Sequence, residues 1–135
     1  MIIRPATEDD LPAILQIQES APEAAQWDPR DYLAYECLVA ERGAAIVGFL
    51  VARAAGPESE ILNLAVEPGF RRQGIGRQLL NDLRTRHPGY LFLEVRESNH
   101  PARQFYERLG FAMVTERLQY YDNPPETAIV MKLHS

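Results

Sequence analysis

The segment VEPGFRRQGIGRQLL, residues 66–80, gathers Arg71, Arg72 and Arg77 around Gly74 and Gly76 at the point where a helix should begin. A glycine inside a helix costs roughly 1 kcal/mol relative to alanine, so two in one first turn need a reason other than helix stability. An anion supplies one. The first turn of a helix leaves N–H groups unpaired and carries a partial positive charge, and glycine lets an anion approach because no Cβ is in the way. The three arginines add mobile positive charge at the same point. The stretch therefore reads as a pyrophosphate cradle. Two other phosphate motifs do not fit it. A P-loop needs a lysine and a Ser or Thr after its second glycine, yet the chain's sole lysine is Lys132. A dinucleotide fingerprint needs a third glycine where Leu79 stands.

The elements that must hold this cradle alternate between strand and helix. IIRPA reads as a first strand, and Thr7 as the cap of a helix with Leu11, Ile14 and Leu15 on one face. Asp28 and Pro29 look like the cap and first position of a short helix through Tyr35. ECLVAERGAAIVGFLVAR reads as a hairpin about Arg42 and Gly43. Pro57 breaks the chain before the apolar strand EILNLAV. A helix from Gly74 to Arg86 repeats Ile75, Leu79 and Leu83 on one stripe. The strand YLFLEV follows, then a helix capped by Asn99, with Pro101 early and Gly110 as its stop. FAMVTERLQYY and ETAIVMKL close the chain as strands. The order β α α β β β α β α β β predicts an α/β (α+β) domain around one mixed sheet.

Composition sets the outer bounds. At 135 residues the chain has the length of a single domain, 1–135, with 46% hydrophobic and 24% charged residues, ordinary for a globular protein. The net charge of −5 argues against a nucleic-acid surface. No apolar run is long enough to span a membrane, and the N-terminus lacks a signal-peptide pattern, so a cytoplasmic protein is expected. Cys37 is the one cysteine, placed in an apolar run and read as a buried small hydrophobe. His87, His100 and His134 have no metal-ligand spacing, and no metal is expected.

RxxGxG, Arg71 to Gly76, after the strand end AVEPGF resembles the acyl-coenzyme A signature of the GNAT superfamily of N-acetyltransferases. LEVRESNHPARQFYERLGF, about twenty residues on, resembles that superfamily's second half-site. ILNLAVEP, LEVR.SN, FYE.LGF and YYDNPPETAIVM are similar to the ribosomal-protein-alanine N-acetyltransferases. The resemblance covers the chain from about Glu58 onward and, more loosely, the N-terminal helices with Trp27. It implies a mostly antiparallel sheet of about seven strands with about four helices, and acetyl-coenzyme A as co-substrate. By the same resemblance, the backbone of Leu64, Ala65 and Val66 pairs with the pantetheine arm and polarises the acetyl carbonyl. Arg71, Arg72, Gln73, Gly74, Ile75, Gly76 and Arg77 form the pyrophosphate loop, Asn99 holds the pantetheine, and Glu94 and Tyr106 are general base and acid.

Elementary chemistry supports such a pair. An amine must lose a proton to attack a thioester, and the leaving thiolate must gain one. An α-amine with a pKa near 8 is already about a tenth to a fifth neutral at pH 7, so a glutamate suffices as base. Burial in an apolar strand should raise the Glu94 carboxyl toward the working range. Each assignment has a plainer alternative: an arginine partner for Glu94, helix capping for Asn99, core packing for Tyr106. Glu60, at the start of EILNLAV, is a rival base, and both carboxylates could face one cleft. No Cys–His motif accompanies Cys37, so direct transfer is expected.

The resemblance also implies that Tyr120 and Tyr121 wall off the entrance so that only a chain end enters. Glu126, a substrate-binding candidate for the cationic amine by the same resemblance, is followed by Thr127 where the relatives more usually carry an acidic pair. The implied substrate is the α-amine of a protein whose second residue is small, such as alanine or serine, with a ribosomal protein foremost. A small-molecule amine acetyltransferase and a non-catalytic acetyl-coenzyme A sensor are the alternatives. Monomer and dimer are both compatible with the sequence.

Overall fold

The computed structural model describes residues 1–133. Seven strands form one sheet: β1 (Ile2–Pro5), β2 (Glu36–Arg42), β3 (Ala45–Ala55), β4 (Glu58–Val66), β5 (Tyr90–Arg96), β6 (Phe111–Tyr121) and β7 (Glu126–Leu133). Three α-helices, α1 (Leu11–Ser20), α2 (Ile75–Arg86) and α3 (His100–Arg108), pack on it, with 3-10 turns at Glu8–Asp10, Pro29–Ala34 and Pro68–Phe70. Strand order is β1-β2-β3-β4-β5-β7-β6. Every neighbouring pair is antiparallel except β4 and β5, which run parallel.

Alternation along the strands builds two cores, because successive side chains leave a strand on opposite faces. On one face Leu38, Leu50, Leu64, Val66 and Leu93 pack with Ile75, Leu79 and Leu83 of α2 and Ala102, Phe105 and Tyr106 of α3. On the other, Cys37, Val39, Phe49, Val51 and Ala65 pack with Ile14 and Ile17 of α1 and with Tyr32. The expected α2 stripe is therefore the buried one. The stripe expected for α1 is rotated: Ile14, Ile17 and Gln18 are buried while Leu15 is 41% exposed. Leu15 lies outside the i, i+3, i+4 set that faces the sheet. Thr7 precedes a separate 3-10 turn rather than α1 itself. Pro12 is tolerated only in a first helical turn, which fixes the start of α1 at Leu11. Asp28 and Pro29 likewise open a 3-10 turn, in which Asp28 Oδ1 accepts from the Arg30 amide at 3.0 Å.

The break in the sheet matters most. β4 and β5 share three residue pairs, ending at Glu60 with Phe92. Beyond that point β5 pairs with β7 alone, through Leu93–Arg96, and β4 pairs with β3 alone. A register shift opposite Val51 and Ala52 inserts Leu62 as an extra residue of β4. A bulge of this kind bends and twists its strand, and here it steers β4 away from β5. The sheet opens as a cleft.

Candidate active site

Two cavities lie along this opening. The first, about 410 Å³, is bounded by Ile61, Leu62 and Asn63 of β4 and Leu93, Glu94, Val95 and Arg96 of β5, with Ala24, Ala25 and Trp27 from the loop after α1. Glu23, Glu60, Asn99, Tyr106, Tyr120 and Tyr121 complete its lining. Both candidate carboxylates thus share one space. Strand alternation accounts for this: Glu60 is paired with Phe92, and Glu94 is two residues further along the same face of β5.

Their surroundings differ. The Glu94 side chain, 12% exposed, accepts from Arg117 Nη1 at 2.6 Å across β7. The arginine partner considered for Glu94 is real. Glu60 makes a looser contact with Arg53 Nη1 at 3.2 Å. Burial raises the Glu60 carboxyl above its ordinary range, Arg53 opposes that, and the charge of Glu94 adds to it. Burial thus makes the Glu60 carboxyl readier to hold a proton than an exposed glutamate.

Tyr106 is nearly enclosed, edge-on to Phe105 and Phe111 with centroids 5.4 and 5.5 Å away. Burial, with help from the charge of Glu23, raises its hydroxyl above the usual phenol range. Packing explains the ring, and the hydroxyl belongs to a residue that lines the cavity. Asn99 Oδ1 accepts from the Ala102 amide at 3.2 Å, so the side chain caps α3 while also bordering the cavity. Tyr120 and Tyr121 stand edge-to-face at 5.2 Å beside the cavity, with Arg117 over Tyr120 and Arg96 over Tyr121. Burial, then the charge of Glu94, pushes the Tyr121 hydroxyl up to about 12.

Glu126 does not line this cavity. It accepts from the Ser98 amide at 2.5 Å and from Arg96 at 3.4 Å, which fixes the β6–β7 turn. The geometry gives it a bracing contact where the sequence suggested amine recognition, because the turn folds its carboxylate back on β5. Cys37 lines neither cavity, and burial pushes its thiol up to about 12, too high for an acyl carrier near neutral pH. His134 lies outside the described residues, and among those residues no His, Cys, Asp and Glu group has a metal-binding arrangement.

The second cavity, about 340 Å³, is bounded by Val66, Phe70, Arg71, Arg72, Gly74, Ile75, Gly76 and Arg77, with Phe105, Arg108 and Leu109 of α3 opposite. Arg72 and Gly74 have φ of 63° and 76°, so the chain turns through left-handed conformations twice before α2. At a non-glycine residue this strain costs on the order of 1 kcal/mol and concentrates at binding sites. A Cβ built on Gly74 meets nothing within 4 Å, so the glycine answers a backbone requirement and leaves the approach to the α2 amides open. Gln73 turns away and accepts from Arg42. Arg71 is not a mobile cation: its guanidinium is paired with the buried carboxylate of Glu23. No ion pair among the described residues engages Arg72, Arg77 or Arg108, and Arg77 Nη2 donates weakly to the Arg108 carbonyl at 3.4 Å. Leu64 and Ala65 are fully buried and only Val66 of that trio reaches the cavity wall. The Leu64 amide donates to Asn63 Oδ1 at 3.1 Å and the Val66 amide to Glu23 Oε2 at 3.2 Å.

Sequence reasoning missed several of these groups. Asn63 is the hub of a buried network: its amide nitrogen donates to Gln18 Oε1, to the Ala25 carbonyl and to the Tyr32 hydroxyl, and its oxygen accepts from the Ala25 amide. Gln18 in turn donates to the Trp27 carbonyl at 2.5 Å. The network clamps the loop that walls the first cavity. An asparagine inside ILNLAV was the available signal, since a buried amide must be hydrogen-bonded. Glu23 and Arg108 offered no local pattern.

A split sheet with a helix-start anion cradle on one side and carboxylates with a tyrosine on the other defines an acyl-coenzyme A-dependent transferase. Residues 5–111 match the acetyltransferase (GNAT) family. The chain is 38% identical to ribosomal protein bS18-alanine N-acetyltransferase of Salmonella typhimurium, over 92% of this chain and 90% of that protein. It is 34% identical to the Escherichia coli K12 enzyme of the same name, over 92% and 90%. The crystal structure of the ribosomal-protein-S18-alanine N-acetyltransferase from Escherichia coli superposes with a TM-score of 0.74, covering 98% of this chain and 92% of that one. A ribosomal-protein-alanine N-acetyltransferase from Brucella melitensis superposes with a TM-score of 0.67 at 26% identity, covering 98% of each chain. The chain belongs to the GNAT family of acetyltransferases and is an N-acetyltransferase that uses acetyl-coenzyme A. No helix among the described residues is long and apolar enough to cross a membrane.

Proposed function

We propose that the chain acetylates the N-terminal α-amine of a protein whose second encoded residue is small, such as alanine or serine, with a ribosomal protein as the leading candidate and the cytoplasm as the setting. The first cavity carries this reading. Its carboxylates share their walls with the aromatic side chains of Trp27, Tyr120 and Tyr121, and Ala24 and Ala25 among the lining residues suit a small side chain. The similarity to enzymes named for ribosomal protein alanine supports the same substrate class.

Acetyl-coenzyme A, when bound, supplies the acetyl thioester. Gly74, Ile75, Gly76, Arg72, Arg77 and Arg108 would hold its phosphates, and the cleft edge of β4 would meet its pantetheine arm. Glu94 is the proposed proton acceptor, directly or through water, and Glu60 is the alternative that burial favours. Tyr106 keeps its proton at neutral pH because burial disfavours the phenolate, which is what a general acid requires.

Thiol release from acetyl-coenzyme A with two matched peptides tests the reading. One peptide has a free N-terminal alanine and no lysine; the other has a blocked N-terminus and one internal lysine. Turnover of the first alone is expected. Silence with both, in a protein that still binds coenzyme A, or turnover of small amines in preference, overturns the chain-end substrate.

A further inference from the structure

The Glu23–Arg71 pair joins the two cavities. Glu23 lines the first and Arg71 the second, and their side chains meet between them. The Glu23 side chain is 1% exposed, an unusual setting for a carboxylate and one in which losing its cation carries a heavy penalty. Its other oxygen accepts the Val66 amide at 3.2 Å, on the edge of β4 that borders the cleft. Arg71 is braced from the far side by the Phe105 ring, 5.8 Å from its guanidinium carbon. Glu23 belongs to the loop between α1 and the Pro29–Ala34 turn, which also contributes Ala24, Ala25 and Trp27 to the first cavity.

We propose that Glu23 is a positioning residue that couples the cavities: an anion in the phosphate cavity competes for Arg71, weakens the hold on Glu23 and shifts the loop that walls the amine cavity. The inference rests on the coenzyme's phosphates occupying the arginine-lined cavity. Competition is expected because a phosphate offers Arg71 the same paired acceptors as the carboxylate. Coupling then follows from two ligands biasing one element, and it is reciprocal: an occupied amine cavity changes the affinity for the anion by the same factor.

Trp27 provides the readout, because it is the chain's one tryptophan and sits half-exposed on the loop in question. The probe is 3′-phospho-ADP, the nucleotide half of the coenzyme, which has no pantetheine to enter the cleft. Binding is followed by calorimetry and, in parallel, by Trp27 emission. The wild type is expected to show heat and an emission change that saturate together. Glu23→Gln is expected to keep the heat and lose the emission change; if that variant does not fold, Arg71→Lys, which keeps a cation beside Glu23 but lacks the paired donors for which a phosphate competes, is titrated to saturation instead and is expected to show a reduced emission change. Heat without an emission change in the wild type, or an unaltered emission change in the variant, overturns the coupling and leaves the phosphate cavity standing. No heat with the wild type overturns the coupling together with the phosphate reading on which it rests.

Discussion

The phosphate cavity and the amine cavity are neighbours in space and opposites in construction. Eight of the residues that wall the phosphate cavity fall between Val66 and Arg77, and most of its chemistry is main-chain amides at one helix start. The amine cavity draws side chains from the loop after α1, from β4, β5 and α3, and from the end of β6. A site of the first kind tolerates side-chain change because its donors are backbone. A site of the second kind depends on each contributed group and on whatever holds it in place.

The contrast can be broken most sharply at the carboxylates. Glu94→Gln is expected to lower kcat by about 100-fold, with Glu60→Gln well behind, and to leave the dissociation constant for coenzyme A nearly unchanged. The reverse ranking in steady-state kinetics would transfer the base role to Glu60. Next in size is Asn63→Ala, which leaves the Ala25 amide and carbonyl without their side-chain partner and removes one bond each from Gln18 and Tyr32, and which should cost about 2–3 kcal/mol in urea unfolding. Its kinetic signature should be a raised KM for the peptide that exceeds any change in coenzyme affinity, since the clamped loop walls the amine cavity and reaches the phosphate cavity only through Glu23.

Arg108→Ala probes the opposite wall. It is expected to weaken coenzyme A binding by roughly fivefold at low salt, an effect that shrinks as ionic strength rises. An unchanged affinity by calorimetry would remove α3 from the phosphate cavity. The smallest effect expected is at Arg117→Ala, which deprives Glu94 of its cation. Without the 2.6 Å contact the carboxylate is less firmly placed in the cavity, and kcat should fall by about two- to threefold with coenzyme A affinity unchanged. An unchanged kcat in steady-state kinetics would remove Arg117 from the positioning of Glu94.

Much of the fold is legible in the sequence, and the two cavities mark where that legibility stops. The order of strands and helices follows from period and punctuation, and α2 is legible to within one residue, with Gly74 as its cap rather than its first residue, because motif, cap and stripe are contiguous. In α1, Leu15 is as apolar as Ile14 and Ile17, and only the packing direction against the sheet separates them. Arg71 looks like a free cation in the sequence because nothing near it is its partner; Glu23 is 48 residues away. The same holds for Glu94, whose arginine proved to be Arg117, and for Glu126, which is held by Ser98 and Arg96.

By itself, then, the sequence determined the helix-start anion cradle, the alternation of elements and the family resemblance, because each is encoded in residues within a few positions of one another. The tertiary structure alone decided that β4 parts from β5 after Glu60, that Glu60 and Glu94 share a cavity, and that Glu23 reaches Arg71. Those outcomes depend on contacts between distant segments, which form only when a core large enough to offset loop closure brings them together.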